Sequence, residues 1–321
     1  MRPDYPEARF NRSLLWLIQG DWERGLPEYE FRVQGSRGAH VRIKERLWDG
    51  SPLNGRTILL HAEQGLGDTL QFVRYAPLVK ERGGRVLFVC PPALFPILAS
   101  APGIDQLVRD GDPVPSFHVQ APLMSLAHIM GTTPETVPAN IPYLAASKEL
   151  IEKWRPVLHK IAGFKIGICW QGSPQYPADR QRSIPLSHFG KLAALNGVRL
   201  VSLQKGSGRE QLLESPFPVL DFTEQMDTQS VGPFTDTAAV LGLLDLVISC
   251  DSAVIHLAGA LGVPTWAALS FMPDWRWLLD QDHTAWYPGM RLFRQRSRGD
   301  WNEVFERIAA AVKVHLIEKN K

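Results

Sequence analysis

The sequence predicts an α/β fold: two doubly wound parallel units behind a short helical pair. Three observations predict it. From Thr57 onward, apolar strand-like runs alternate with helical patterns, as in parallel sheets covered on both faces. A Pro-rich stretch from Thr133 to Pro142 separates two such series. The stretch from Leu246 to Leu269 reads as a complete strand–helix–strand unit, polar at the point where strand gives way to helix, Asp251-Ser252. A chain of 321 residues is also long for one core, so two domains are expected.

The elements follow in order. Residues 10–33 read as two helices around Gly20-Asp21, with Phe10, Leu14, Leu15 and Leu17 on one face and Trp22, Leu26, Tyr29 and Phe31 in the next segment. The pair resembles a single tetratricopeptide repeat. One repeat cannot bury its own face, so it must pack on the rest of the chain or end a longer array, and it offers a surface for a protein partner. Residues 34–55 read as a linker with a Trp48-Asp49-Gly50 turn. In the first unit, strands are expected at Ile58–Glu63, Arg85–Cys90 and Phe117–Ala121, with helices at Thr69–Glu81 and Ala93–Ala99. A helix at Lys148–Lys160 leads into the second unit, whose strands are Lys165–Trp170, Arg199–Leu203, Val219–Phe222, Leu246–Cys250 and Thr265–Leu269. An amphipathic helix at Asn302–Glu318 closes the chain. The expected division is 1–50 for the helical pair and linker, 51–146 and 147–300 for the two units, and 301–321 for the closing helix.

Composition narrows the function. The net charge of +2 gives no basic field calling for nucleic acid. Cys90, Cys169 and Cys250 lie in apolar runs at no metal spacing, which fits a reducing, cytoplasmic setting. No segment reaches the roughly 18 apolar residues of a membrane span, and the N-terminus has no signal-peptide core. Peripheral association with an inner membrane stays open.

Candidate site residues gather at strand ends, the ligand-binding edge of parallel sheets. Gly65-Leu66-Gly67-Asp68 follows the first strand. Its glycines let backbone approach a ligand, and its carboxylate sits at a helix start, which favours the ionised form. The spacing is not that of a dinucleotide fingerprint. Gln171 follows the first strand of the second unit, and the loop beyond it carries Arg180, read as a solvated charge, and Arg182, able to reach a diphosphate bidentately. Gln204 and Lys205 end the next strand and add a second cation. Asp251 and Ser252 are natural N-caps for the helix opening at Ala253, whose free N–H groups and positive dipole end suit a phosphate. His256 lies on its first turns. Asp110-Gly111-Asp112 reads as a turn, not a metal site. Trp275, Arg276 and Trp277 either line a base or sugar pocket or belong to the core, with one of the two tryptophans expected in the core.

The segment Asp251-Ser-Ala-Val-Ile-His256-Leu-Ala-Gly-Ala-Leu-Gly-Val-Pro264-Thr resembles the donor-site motif of glycosyltransferase family 9, the lipopolysaccharide heptosyltransferases. Gly65-Leu-Gly-Asp68 resembles that family's N-terminal loop. The N-terminal pair with Trp170-Gln-Gly-Ser, Arg182-Ser-Ile-Pro-Leu and Asp274-Trp-Arg-Trp277 looks more like bacterial tetratricopeptide-repeat proteins with a glycosyltransferase-like domain. The resemblance implies a GT-B fold, two Rossmann-like domains facing across a cleft, an acceptor domain first and a donor domain second. It implies a nucleoside-diphosphate sugar as substrate, an inverting mechanism, and neither cofactor nor catalytic metal. It assigns Asp68 as base, Arg182 near the phosphates in place of a family lysine, and Asp251, Ser252 and His256 at the donor. The acceptor stays open between glycan, lipid-linked glycan, protein and small molecule. Two other readings stand beside a transferase: a nucleotide-binding scaffold recruited through the repeat, and a nucleotide-sugar epimerase.

Overall fold

The computed structural model describes residues 5–33 and 44–319. Among the described residues, ten strands form two all-parallel sheets. In the first, β1 (Thr57–His61), β2 (Arg85–Cys90), β3 (Gln106–Arg109) and β4 (Val119–Pro122) lie in the order β3-β2-β1-β4. In the second, β5 (Phe164–Cys169), β6 (Val198–Ser202), β7 (Leu220–Asp221), β8 (Leu246–Cys250), β9 (Thr265–Leu269) and β10 (Met290–Arg294) lie in the order β10-β9-β8-β5-β6-β7. Register is fixed by apolar central strands: Ile58 faces Val86 on one side and Val119 on the other, and Ile168 faces Ser202 and Ile248. The strand order reverses beside β1 in one sheet and beside β5 in the other. A crevice opens beyond the carboxyl ends at each reversal.

The helical pair is α1 (Pro6–Ile18) and α2 (Trp22–Tyr29). Gly20 turns the chain at φ +85, and the Asp21 side chain caps α2 by accepting from the Arg24 N–H. The pair packs on the chain itself. Arg32, just beyond α2, is buried and donates to Glu63 at 2.6 and 2.9 Å on the first lobe. Trp22 stacks on Trp286 at 5.3 Å and meets Trp275 edge-on at 5.6 Å on the second lobe. The hairpin therefore braces both lobes.

Of the expected linker, residues 34–43 lie outside the described residues. The rest is not loose. Leu47 bridges Gln120, the Trp48 N–H donates to the Gln120 carbonyl at 2.8 Å, and Trp48 and Leu53 are buried. The Pro-rich connection is likewise docked: Tyr143 donates its N–H to the Ala260 carbonyl at 3.0 Å and its hydroxyl to the Leu70 carbonyl at 2.9 Å.

The remaining helices are mostly short: α3 (Leu66–Phe72), α4 (Ala76–Lys80), α5 (Phe95–Leu98), α6 (Leu126–Ile129), α7 (Lys148–His159), α8 (Asp179–Arg182), α9 (Gly190–Ala193), α10 (Thr235–Leu241) and α11 (Ala253–Ala260). The single helix expected at Thr69–Glu81 is split into α3 and α4 around a 3-10 turn, because Pro77 supplies no N–H and its ring crowds the carbonyl of Val73. It also starts earlier than expected, which places Gly67 and Asp68 inside the first turn. The last helix, α12 (Trp301–Lys319), buries Val304, Phe305, Ile308 and Val312 against Phe189 and Phe293 of the second lobe. No helix among the described residues is long and apolar enough to cross a membrane.

Candidate functional site

Four loops, after β1, β5, β8 and β9, leave the carboxyl edges of the two sheets and meet between them. They line a cleft of about 710 Å³ whose walls include Asp68 from the first lobe and Arg182, Asp251, Ala253 and Arg276 from the second. A second pocket of about 520 Å³ opens beside it at the ends of β5 and β6. The two share Leu66, Gly172, Ser173, Ser252 and Ala253 as a common wall.

The first-lobe contribution is the start of α3. The Asp68 carboxylate accepts from the Gly65 N–H at 2.8 Å, closing its own helix end. Its other oxygen takes the Arg276 guanidinium from across the cleft. Helix-start position was expected to favour the ionised form, but burial outweighs it and pushes the carboxyl above its ordinary value, with Arg276 acting against that push. Gly67 has a further reason besides the one expected. A Cβ there would lie 2.8 Å from His256 Cδ2 and 3.5 Å from Ala253 Cα. The glycine lets α3 and α11 touch across the lobes, and it also lines the cleft. Gly65 lines the cleft with an ordinary extended backbone.

The second-lobe contribution centres on α11. Ser252 holds the N-cap position but does not cap: its hydroxyl turns back to the Ser249 hydroxyl at 3.2 Å and the Cys169 thiol at 3.6 Å. The first N–H groups of α11, from Ala253 and Val254, are thus left without a side-chain acceptor, Ala253 in the wall of both pockets and Val254 in that of the second. Asp251 is half-enclosed beside them. Burial pushes its carboxyl up to about 6, the nearby Asp274 carboxylate adds to the rise, and Arg182 and Arg276 pull it down. Arg182 extends from α8, its Nε held by Asp179 at 3.0 Å and its guanidinium 4.6 Å over the Tyr176 ring. Arg180 is exposed, as expected of a solvated charge.

Three expected donor residues line these pockets and also make structural contacts. The Gln204 amide is buried and fully engaged: its oxygen accepts from the Trp170 and Gln171 N–H groups, and its nitrogen donates to the Gln171 and Ser207 carbonyls. It shapes the loops after β5 and β6, so Gln171 lines the second pocket through backbone that Gln204 holds. Lys205 lies in that second pocket, not beside Arg182, and donates to the Met226 carbonyl at 2.6 Å with Asp227 3.6 Å away. His256 is a buried packing residue at the lobe contact. It stacks on Trp277 at 5.5 Å and shares a 2.9 Å hydrogen bond with the Tyr287 hydroxyl through Nδ1. Burial and the arginines 276, 74 and 182 hold its imidazole well below the usual range.

Both Trp275 and Trp277 are core residues, where one was expected. Arg276 between them is the participant that sequence reasoning undervalued. Its backbone N–H and Nη1 both donate to Asp274, at 3.1 and 2.7 Å, and it reaches Asp68 from there. The available signal was an arginine enclosed by two tryptophans just past a strand end. The cleft wall from α1, Leu14, Leu15 and Ile18, carried no sequence signal for a site. Asp110-Gly111-Asp112 is a turn, with Gly111 at φ +97. Among the described residues no group of three or more His, Cys, Asp and Glu side chains is placed to hold a metal ion.

No family model matches the chain. Protein FlbA of Caulobacter vibrioides is 25% identical over an alignment covering 97% of this chain and 55% of that protein, so the chain spans about half the length of this relative. Among solved structures, the glycosyl transferase family 9 protein from Veillonella parvula superposes with a TM-score of 0.60 at 12% identity, covering 84% of this chain and 100% of that one. ADP-heptose LPS heptosyltransferase II of E. coli gives a TM-score of 0.55 at 13% identity, with 83% and 100% covered. The fold is therefore that of the family 9 glycosyltransferase structures, mixed α/β with two parallel sheets.

Proposed function

We propose that this chain is an inverting, metal-independent glycosyltransferase that moves a sugar from a nucleoside-diphosphate sugar to a hydroxyl acceptor. One observation carries the reading. An acidic side chain on the first lobe, Asp68, and an uncapped helix start on the second, Ala253, face one cleft, with their two helices in contact through Gly67. Sugar transfer makes two demands. The acceptor hydroxyl must lose its proton as it attacks the anomeric carbon, and the departing diphosphate must have its growing charge stabilised. Asp68 answers the first as general base, and its raised pKa makes it a stronger one. The N–H groups at the start of α11, with Arg182 beside them, answer the second without proton transfer; each well-placed donor of this kind is worth about 3 kcal/mol in a dry site. The diphosphate then lies along the shared wall at Ser252 and Ala253, which directs the nucleoside toward the pocket of about 520 Å³ and the sugar toward Asp68. The hydrophobic faces of Leu14, Leu15 and Ile18 border the acceptor side.

The test is incubation with ADP-, GDP- and UDP-sugars, alone and with glycan and protein acceptors, followed by separation of products. Sugar transferred to acceptor or released to water supports the reading, and Asp68→Asn should then cut turnover at least about a hundredfold. Sugar isomerised but still attached to nucleotide would make the chain an epimerase. Binding with neither outcome would leave a scaffold.

A further inference from the structure

We propose that Arg276 is a donor ligand held in reserve by the base: a diphosphate arriving at the start of α11 draws the Arg276 guanidinium off Asp68, and the base is freed only when the donor is in place. The inference rests on the anion site assigned above. Four observations support it. First, Arg276 joins the two halves of the site, because it lines the same cleft as Ala253 and Arg182 while its Nη2 lies on Asp68 of the other lobe. Second, it has a pivot. Asp274 holds both its backbone N–H and its Nη1, so the guanidinium can leave Asp68 without losing its other carboxylate. Third, it has capacity to bind. The side chain is 6% exposed, yet its Nε–H is buried with no acceptor among the described residues. A buried unpaired donor costs free energy that an incoming phosphate oxygen would recover. Fourth, the pairing as found works against the chemistry proposed for Asp68. One carboxylate oxygen closes the α3 turn and the other carries Arg276, so the base is masked.

Competition decides the exchange. A diphosphate carries more negative charge than one carboxylate and accepts the planar guanidinium fork bidentately. It also meets Arg276 where the α11 N–H groups already favour an anion. Once Arg276 turns to the phosphates, Asp68 loses its cation and becomes more basic at the moment an acceptor hydroxyl needs a proton acceptor. Arg276 thus couples the two lobes, and donor binds before acceptor.

Inorganic pyrophosphate tests the exchange without knowledge of base or sugar. Its affinity would be measured calorimetrically for the wild-type chain, Asp68→Asn, Arg276→Met and the double variant, a double-mutant cycle. Arg276→Met should weaken pyrophosphate at least about tenfold. Asp68→Asn should tighten it about threefold to tenfold, because the competitor for Arg276 is gone, and that gain should vanish in the Arg276→Met background. An equal gain in both backgrounds would mean simple removal of a like charge and would overturn the exchange, as would an unchanged affinity in Arg276→Met or no pyrophosphate binding at all. If Arg276→Met does not fold, Arg276→Gln keeps a donor for Asp274 without the charge and carries the same cycle. Intact coupling with no sugar released from any donor would sink the transferase reading and leave the exchange standing; Asp68-dependent transfer without coupling would do the reverse.

Discussion

The loop after β1 and the loop after β8 are built alike and end in opposite states. Each leaves the carboxyl end of a buried strand and opens a helix, α3 or α11, facing the cleft. Each carries an aspartate. In the first, Asp68 lies three residues past Gly65 and reaches back to close its own helix end. The Asp68 carboxylate lies at that helix start, so the end presents a negative charge that works against a second anion. In the second, Asp251 precedes the helix, Ser252 turns inward to Ser249, and the helix end is left open. A shift of the acid by a few positions relative to the helix start therefore decides whether a strand–helix junction offers a base or an anion receptor. The cleft has one of each.

The acid before the open junction should mark the pH dependence of stability. Burial and Asp274 push Asp251 up to about 6, above its unfolded value. A carboxyl raised in the folded state contributes stability that is fully present below its unfolded value and lost as pH rises through its folded value. Ionising Asp251 should thus cost stability between about pH 4 and pH 6 and leave the wild-type chain weaker above that range. Asp251→Asn removes the titration. Urea denaturation should show the variant gaining on wild type by up to about 3 kcal/mol between pH 4 and pH 8. A difference that does not change with pH would mean Asp251 is solvated.

Arg182 tests the open junction from its flank. Arg182→Ala should weaken a nucleoside diphosphate roughly thirtyfold, about 2 kcal/mol, and leave the nucleoside within about twofold. Equal losses for both would place Arg182 away from the phosphates. Gly67 tests the contact between the junctions. Gly67→Ala puts a methyl 2.8 Å from a His256 carbon that Trp277 and Tyr287 hold in place, so it cannot relax freely. Overpacking of this kind should cost about 1–2 kcal/mol in denaturant unfolding. A neutral change would mean the lobes slide easily past each other.

The two junctions were also unequally legible. The α/β alternation and the apolar central strands could be read from period and composition, because strands buried on both faces are continuous apolar runs. The strands β3 and β10 were missed. Gln106–Arg109 is short, and Met290–Arg294 interleaves arginines with its apolar residues, as an edge strand can. Asp68 and the Asp251-Ser252 step were visible because a polar step after an apolar strand is a local pattern. Their partners were not, since Arg276 is 208 residues from Asp68 in sequence and no local pattern records that pairing. The packing role of Gly67 was hidden for the same reason: what a glycine leaves room for is settled by the element opposite, here α11. The wall from α1 was hidden altogether. It depends on the hairpin docking through Trp22 onto Trp275 and Trp286, a contact that joins the two ends of the chain.

The smallest expected effect is the sharpest test of the comparison. Ala253 is the first residue of α11, where proline fits the helix without strain and removes only the N–H. The preceding residue, Ser252, has φ -146 and ψ 172, the extended backbone that a following proline requires. Ala253→Pro should therefore keep the fold while deleting one anion donor, and pyrophosphate affinity should fall about tenfold, or 1.4 kcal/mol. The matching change on the closed junction is Leu66→Pro, at the first residue of α3 after the extended Gly65. There the Asp68 carboxylate beside the helix start keeps an anion away, so pyrophosphate affinity should stay within about twofold. Equal losses at the two positions would show that the helix starts do not differ in function, and that the anion is held by arginines alone.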